Sequence, residues 1–234
     1  NDAFGQHYAS ELMYNDKVDQ AELFQEAIKY YANILTPFSK FVVKKIEEVL
    51  SFNLPVNMIC PSHGIIWRDN PLQIVNKYME WAKDYQENQI TIIYDTMWNC
   101  TRRMAEAIAE GIKSLNKDIT IKIFNSSKSD KNDIITEVFK SRMVLVGSST
   151  INKGILSSTA AILEIIKGLT FKEKKGAAFG SYGWSGESVK IISEELNKAG
   201  FEIINEGIRE LWNPDEDGLN RCKDFGRNAF EKVE

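Results

Sequence analysis

Residues 90–101, ITIIYDTMWNCT, run from an uninterrupted apolar segment into a polar loop that ends in a hydroxyl residue. An apolar run without polar alternation is typical of a strand that is buried on both faces, as strands of parallel sheets are. Thr101 can cap the helix that the following residues predict over Arg102–Leu115. This stretch therefore predicts the first strand, loop and helix of a parallel α/β sheet.

The same alternation of strand and helix repeats to the end of the chain. Strands are predicted at Ile90–Tyr94, Ile119–Phe124, Met143–Gly147, Lys175–Gly180 and Phe201–Ile204. Helices are predicted at Arg102–Leu115, Asp133–Lys140, Ser157–Ile166, Gly186–Ala199 and Asp215–Lys232. This pattern predicts a doubly wound, five-stranded parallel sheet. Right-handed crossovers then place the functional loops at the carboxyl ends of the strands.

The part of the chain before this alternation is mostly helical. Apolar residues have helical spacing over Asp19–Leu50, and Thr36-Pro37 interrupts that spacing. Val56–Cys60 is predicted as a short buried strand, and a further helix runs from Pro71 to about Tyr85. A polar stretch at 84–89 separates the two parts. The sequence therefore predicts two domains, residues 1–87 and 88–234.

Composition limits the classes of function. The chain has 234 residues, 43% of them hydrophobic and 26% charged, which is ordinary globular composition and argues against disorder. It contains no apolar run long enough to span a bilayer, so no membrane segment is predicted. A net charge of −4 excludes a mainly electrostatic nucleic-acid binder. Cys60, Cys100 and Cys222 form no CxxC pair, which favours a reducing cytoplasm over a disulfide framework.

The loop after the first predicted strand has the features of a phosphate cradle. Its residues are Thr96, Met97, Trp98, Asn99, Cys100 and Thr101. Backbone N–H groups point outward at a helix N-terminus, and the helix dipole favours an anion there. The chain has neither GxxxxGK[ST] nor GxGxxG, so a triphosphate loop and a dinucleotide fingerprint are excluded. A monophosphate fits the loop, and the alternative is an ordinary helix cap at Thr101.

Two further loops of small residues follow the third and fourth predicted strands. They contain Ser149, Thr150, Ile151 and Asn152, and then Ser181, Tyr182, Gly183, Trp184 and Gly186. An aromatic side chain on such a loop can stack on a flat heterocycle, while glycine lets the backbone approach its polar edge. For Trp184 the alternative is a surface anchor for the next helix. Together the three loops predict a site for a phosphate and a planar ring.

From about residue 88 onward the chain resembles flavodoxin, because residues 96–101 match that family's phosphate loop, [ST]-x-[ST]-x-x-[ST], loosely. Trp98 stands where that family usually has a hydroxyl residue. The resemblance implies that the cofactor is flavin mononucleotide (FMN). It implies that residues 96–101 hold the phosphate and that the residues named on the other two loops surround the isoalloxazine ring.

The first part of the chain adds a second resemblance. The segments DAFGQHYAS, YYANIL and CPSHGIIWR, followed by YDTMWNCT, resemble the flavodiiron proteins. That family joins a metallo-β-lactamase-like domain to a flavodoxin-like domain. The fold class expected is therefore the C-terminal remainder of a metallo-β-lactamase-like domain followed by the flavodoxin-like sheet. Taken singly, Asp2 and His63 can equally be a turn acid and a capped loop histidine.

The flavodiiron resemblance implies specific roles for four residues. Asp2 would bridge two iron ions, and His63 would be a terminal ligand. His7 and Tyr30 would lie beside the metals and donate a hydrogen bond to bound gas, with Tyr31 as the alternative to Tyr30. The family's H-x-E-x-D cluster and one further histidine ligand do not occur in this sequence. The chain is therefore expected to be the C-terminal part of such a protein and to lack a complete di-iron site by itself.

The function that this resemblance implies is oxidoreduction. Electrons would pass from a donor such as rubredoxin through FMN to the two iron ions, where dioxygen is reduced to water or nitric oxide to nitrous oxide. A head-to-tail homodimer is also implied. Two other functions stay open at this point: a flavodoxin-type electron carrier without catalysis, and a β-lactamase-fold metal hydrolase with a flavodoxin-like appendage.

Overall fold

A computed structural model describes residues 2–233 of the chain. The chain divides into two compact units, Asn1–Tyr85 and Gln86–Glu234. This division lies two residues before the boundary that the polar stretch at 84–89 predicts.

The first unit is helical. Its helices are a 3-10 turn at Asn15–Lys17, α1 at Gln20–Tyr30, a π-helical turn at Tyr31–Leu35, a 3-10 turn at Thr36–Phe38, α2 at Ser39–Ser51 and α3 at Leu72–Trp81. Asp19 caps α1, since its Oδ1 accepts a hydrogen bond from the Glu22 N–H at 2.8 Å. The predicted interruption of the long helix is present as the π and 3-10 turns, where the Thr36 hydroxyl donates to the Ala32 carbonyl at 3.0 Å.

The predicted buried strand Val56–Cys60 is wrong. Within the described part of this unit, the segment pairs at one point, an antiparallel bridge between Ile59 and Trp67. Met58 is 46% exposed and Cys60 is exposed. A strand needs a continuous ladder of hydrogen bonds to a neighbour, and one bridge does not supply it. Among the described residues the segment therefore forms no buried strand, and its apolar residues Val56 and Ile59 are only partly buried.

The second unit alternates strands with helices, as the sequence predicts. Its strands are β1 Gln89–Asp95, β2 Thr120–Asn125, β3 Met143–Ser148, β4 Lys175–Tyr182, β5 Glu202–Ile203 and β6 Ile208–Leu211. Its helices are α4 Cys100–Leu115, α5 Lys131–Lys140, α6 Ser157–Leu169, α7 Glu187–Lys198 and α8 Glu216–Glu231. The prediction of a doubly wound parallel sheet is confirmed, because all strand pairs are parallel.

The sheet has the strand order β2-β1-β3-β4-β5, and β6 also pairs with β4. β5 pairs with the start of β4, at Lys175–Gly176, and β6 pairs with its end, at Phe179–Tyr182. The predicted five-stranded sheet is therefore corrected to six described strands, because the last edge position is divided between two short strands. The chain leaves the sheet at residues 204–207 and returns at Ile208.

One part of the core of the second unit lies on the face of the sheet that α4 and α8 cover. Ile92, Leu145 and Phe179 from the strands pack with Met104 of α4 and Phe230 of α8, and all five are buried. Each such side chain stabilises the folded state by roughly 1.5–3 kcal/mol when it is fully buried. The same packing fixes the sheet at the point where the strand order reverses, between β1 and β3. Ligands of doubly wound folds bind outside the carboxyl ends of the strands at this point.

Among residues 2–233, no helix is both long enough and apolar enough to cross a membrane.

Candidate functional site

A cleft of about 520 Å³ opens at the carboxyl ends of the strands in the second unit. Residues from the loops after β1, β3, β4 and β6 line it: Met97, Trp98, Cys100, Ser149, Thr150, Ile151, Asn152, Lys153, Ser181, Tyr182, Gly183, Trp184, Ser185 and Trp212. This volume is within the usual range of small-molecule sites, roughly 300–1,000 Å³. The topology therefore brings together the three loops that the sequence analysis selected.

The loop after β1 leads into the N-terminus of α4. Asn99 adopts a left-handed backbone conformation, with φ of 63°, and α4 begins at Cys100. The first N–H groups of a helix have no acceptor within the helix, so they can bind an anion. The Thr96 hydroxyl oxygen is buried and has no hydrogen-bond partner among the described residues. A buried hydroxyl without a partner is unusual, and a phosphate oxygen bound at this loop would provide one.

Three buried hydroxyl groups connect the loops beneath the cleft. Thr101 Oγ1 lies 3.0 Å from Ser149 Oγ and 2.9 Å from Ser181 Oγ, and the two serine oxygens are 3.1 Å apart. Thr101 is completely buried. Its hydroxyl therefore joins the start of α4 to the ends of β3 and β4 and does not reach the surface of the cleft.

A buried carboxylate supports the same loop from β1. Asp95 accepts hydrogen bonds from the Thr96 backbone N–H at 2.8 Å, from the Ser127 hydroxyl at 3.0 Å and from the Ser158 hydroxyl. These contacts fix the direction in which the chain enters the loop. Sequence reasoning missed this network, because Ser127 and Ser158 come close to Asp95 only once the sheet has formed.

The loop after β3 is a tight turn. Asn152 and Lys153 both have positive φ, 49° and 57°, and backbone hydrogen bonds join Ile151 and Gly154 in both directions, at 3.3 and 2.7 Å. Positive φ at both central residues is the geometry of a type I′ turn. The turn places Asn152 and Lys153 among the residues that line the cleft.

Three indole rings at the cleft are exposed to solvent. Trp98 is 83% exposed, Trp184 is 91% exposed and Trp212 is 55% exposed. Large apolar side chains in a concave site, exposed to this degree, are typical of a surface that binds a ligand. Sequence reasoning missed Trp212, Lys153 and Ser185. An apolar residue directly after the short pattern Ile208–Leu211 was the available signal for Trp212.

The predicted cofactor-binding residues divide into two groups. Those that line the cleft are Met97, Trp98, Cys100, Ser149, Thr150, Ile151, Asn152, Ser181, Tyr182, Gly183 and Trp184. Thr96, Asn99, Thr101 and Gly186 are not among its lining residues. Thr96 and Thr101 contribute instead through the buried oxygen atoms described above, and Asn99 through its backbone conformation.

The first unit brings all four predicted metal-site residues together. The Tyr30 hydroxyl donates to Asp2 Oδ1 at 3.3 Å, and His63 Nε2 lies 3.5 Å from the same oxygen. The His7 ring is 4.9 Å from the Tyr30 ring and 6.0 Å from the His63 ring, measured between centroids. Tyr31, the alternative to Tyr30, is completely buried, and its hydroxyl pairs with Ser39 at 2.7 Å.

Gln6 connects the two segments that carry these residues. Its side chain accepts a hydrogen bond from the Ile65 N–H at 2.6 Å and donates to the Ile65 carbonyl at 3.0 Å. Gln6 is completely buried, and a Cβ at Gly64 would lie 1.4 Å from its Oε1 atom. Glycine is therefore required at 64, where φ is also +83°. This clamp positions His63 beside Asp2, and sequence reasoning did not find it.

Burial and the neighbouring Asp2 carboxylate raise the pKa of Tyr30 to about 12. Tyr30 is 3% exposed. Its hydroxyl therefore keeps its proton at neutral pH and acts as a hydrogen-bond donor.

The described residues do not by themselves supply the ligands of a di-iron site. Residues 2–233 contain no group of three or more His, Cys, Asp or Glu side chains placed to hold a metal ion. Asp2 and His63 offer one carboxylate and one imidazole. Two such donors do not saturate even one transition-metal ion, which takes four or more ligands.

Comparisons with known proteins agree with this architecture. The family model described as flavodoxin matches residues 92–226. The chain belongs to the flavodoxin family. The flavodoxin-like part of the fold prediction is thereby confirmed.

The recognition of a flavodiiron chain is also confirmed, since the likeness continues through the first unit. The anaerobic nitric oxide reductase flavorubredoxin of Klebsiella pneumoniae is 55% identical over 228 residues, covering 97% of this chain and 47% of that protein. This flavodoxin-family chain thus spans about half the length of the curated relatives it matches.

Two solved structures match both units. The rubredoxin oxygen:oxidoreductase of Desulfovibrio gigas is 33% identical, with a TM-score of 0.94, and the match covers 99% of this chain and 58% of that chain. The flavodiiron protein of Giardia intestinalis is 29% identical, with a TM-score of 0.92, over 99% of this chain and 57% of that chain.

Proposed function

We propose that the cleft of the second unit binds FMN. The observation that carries this proposal is the buried Thr96 hydroxyl, which has no partner among the described residues and lies in the loop that leads into α4; the same loop brings the exposed Trp98 ring to the cleft. The first feature suits a phosphate oxygen and the second suits a flat aromatic ring. FMN has both groups: its phosphate suits the loop after β1, and its isoalloxazine ring suits the indole rings of the cleft.

The residues of the cleft have separate tasks in this proposal. Thr96 and the first N–H groups of α4 hold the phosphate, while the buried Thr101, Ser149 and Ser181 hydroxyls keep the loops in register. Trp98 and Trp184 cover the ring and exclude water from it. When bound, FMN supplies one- and two-electron transfer.

For the first unit we propose a place in a di-iron site. Asp2 and His63 are its ligands within this chain, and the remaining donors come from outside the described residues. Tyr30 holds its proton beside Asp2 and orients that carboxylate through the 3.3 Å hydrogen bond. Gln6 fixes the loop of His63 through its two bonds to Ile65.

The whole protein, in this proposal, is a flavodiiron oxidoreductase that takes electrons through FMN to reduce nitric oxide to nitrous oxide. The names of the relatives at 54–55% identity support nitric oxide as the substrate. Dioxygen, reduced to water, is the second candidate, because the matching Desulfovibrio gigas protein is a rubredoxin oxygen:oxidoreductase. The same name supports rubredoxin as the electron donor.

We also propose a head-to-tail homodimer, which the flavodiiron resemblance implies, and a cytoplasmic location. Three free cysteines without a CxxC pair support the location, because disulfides are rare in that compartment.

The test uses the full-length protein loaded with FMN and iron, with reduced rubredoxin as the donor and a nitric oxide or oxygen electrode as the detector. We expect the parent protein to consume nitric oxide. Asp2→Asn should abolish consumption, whereas Asp118→Asn, which changes an exposed aspartate of the second unit, should leave it unchanged. A loaded parent protein that consumes neither gas would contradict the proposed reaction.

A further inference from the structure

Trp212 occupies a backbone conformation that a bulky residue seldom adopts. Its φ is +52°, in the left-handed region. Such strain persists where the surroundings hold the residue in place, and it is concentrated at functional sites. Here the Trp212 N–H donates to the Tyr182 carbonyl at 2.7 Å, and the Arg103 guanidinium of α4 donates to the Asn213 side chain at 2.5 Å. The loop after β6 is thus tied to the end of β4 and to α4.

The Trp212 ring lies directly on the backbone of the loop after β4. A Cβ at Gly183 would come within 2.8 Å of the Trp212 ring, so a residue with a side chain has no room there while the ring stays. The Trp212 ring also meets the Trp184 ring edge to face, with centroids 5.1 Å apart and planes at 75°. This is the favoured geometry for two aromatic rings.

Trp184 has few contacts that could fix its orientation. With 91% of its surface exposed, its ring has little other contact that could select one rotamer. A side chain that is free in the unbound protein must be ordered when a ligand stacks on it, and this ordering weakens binding. A ring that is already held in one rotamer loses less conformational freedom when the ligand binds, so binding is weakened less.

We propose that Trp212 is a flavin-positioning residue that acts through Trp184. It holds the Trp184 ring at the cleft before the ligand arrives, so that the isoalloxazine ring meets a fixed aromatic surface. The inference rests on the proposed binding of FMN, and it assigns the loop after β6 to the same site.

The experiment measures dissociation constants of FMN and of riboflavin for the 234-residue chain and its variants. Trp212→Ala should weaken both ligands equally, by about 3- to 10-fold, which is the scale of ordering one freed side chain on binding. The loss should be equal because the contact concerns the ring and not the phosphate. Trp212→Phe should recover most of the affinity, since it keeps an aromatic edge.

Two further variants separate positioning from a general effect on folding. Leu211→Ala removes a half-exposed apolar side chain from the same strand end and should leave both affinities unchanged. The double variant Trp184→Ala/Trp212→Ala should bind no more weakly than Trp184→Ala alone, because Trp212 acts through Trp184. The residual fluorescence of bound flavin should rise in Trp212→Ala and stay at the parent value in Leu211→Ala.

The outcomes distinguish this inference from the function on which it rests. If the parent chain binds neither ligand, the proposed FMN site fails and this inference fails with it. If the parent binds both, the inference alone is overturned by a Trp212→Ala variant with parent affinity. Additive losses in the double variant would overturn it as well, since Trp212 would then act independently of Trp184.

Discussion

Replacing Thr96 by valine should change stability and ligand affinity in opposite directions. The Thr96 hydroxyl is buried without a partner among the described residues, so it destabilises the folded state of the unbound chain. Valine has the same shape and no hydroxyl. The free energy of unfolding of the unbound chain should therefore stay equal or rise, by up to about 1–2 kcal/mol, the lower part of the range for a buried unsatisfied group.

Binding of FMN should weaken in the same variant. A hydrogen bond from a hydroxyl to a charged phosphate contributes about 1.5–3 kcal/mol. Its loss corresponds to a dissociation constant about 10- to 150-fold larger. Riboflavin has no phosphate, so its affinity for the variant should equal its affinity for the parent.

The assay combines urea unfolding of the unbound chain with fluorescence titrations of FMN and riboflavin. Thr159→Val is a matched control, because Thr159 in α6 is also a buried hydroxyl without a partner in the described part of the chain and lies outside the loop after β1. It should gain stability as Thr96→Val does and bind FMN like the parent. Parent-like FMN affinity in Thr96→Val, or an equal loss for riboflavin, would refute the assignment of Thr96 to the phosphate.

Three other predictions address separate parts of the chain. Gln6→Leu should lower the free energy of unfolding of the first unit by roughly 2–5 kcal/mol, because the buried N–H and carbonyl of Ile65 lose their partner. Hydrogen exchange at the Ile65 amide should accelerate, and unchanged protection would contradict the role of Gln6. In native protein at pH 8, a thiol reagent should modify exposed Cys60 first and leave Cys222 intact, because burial raises the pKa of the Cys222 thiol to about 12; reaction of Cys222 before unfolding would refute this. Trp98→Ala should weaken the binding of FMN and of riboflavin by about 5- to 100-fold, the scale of one stacked aromatic side chain. The urea midpoint of the unbound chain should stay the same, because that ring is 83% exposed, and parent-like affinity would show that the ring does not stack.

Strands buried on both faces could be predicted from the sequence. The apolar runs that became β1 and β3 are buried along their whole length, so composition alone indicates them. The strands at the last edge of the sheet were harder to predict from the sequence. β6 contains Glu210, which is buried because Arg221 of α8 binds both its carboxylate oxygens, at 2.9 and 2.6 Å. From the sequence alone, an acidic residue is expected to face solvent, because its pairing with an arginine from another element is not visible there.

The site residues that lie within one local stretch of sequence could be predicted. Those that only the arrangement of the strands brings to the cleft could not. The loops after β1, β3 and β4, which we propose hold a phosphate and a planar ring, are local patterns, and each lies at the carboxyl end of a strand. Trp212 joins them only because β6 continues the edge position of β5 along β4. Val56–Cys60 shows the opposite error, since its apolar residues predict a strand, but within residues 2–233 the segment forms a single bridge and no ladder.

The most direct test of the central claim is an equilibrium titration of FMN with the 234-residue chain, followed by flavin fluorescence. The cleft predicts a saturable quench that ends at one FMN per chain, with Trp98 and Trp184 stacked near the ring. Absence of a saturable quench, or a parent-like quench in a Trp98→Ala/Trp184→Ala variant, would contradict the assignment of this cleft to a flavin.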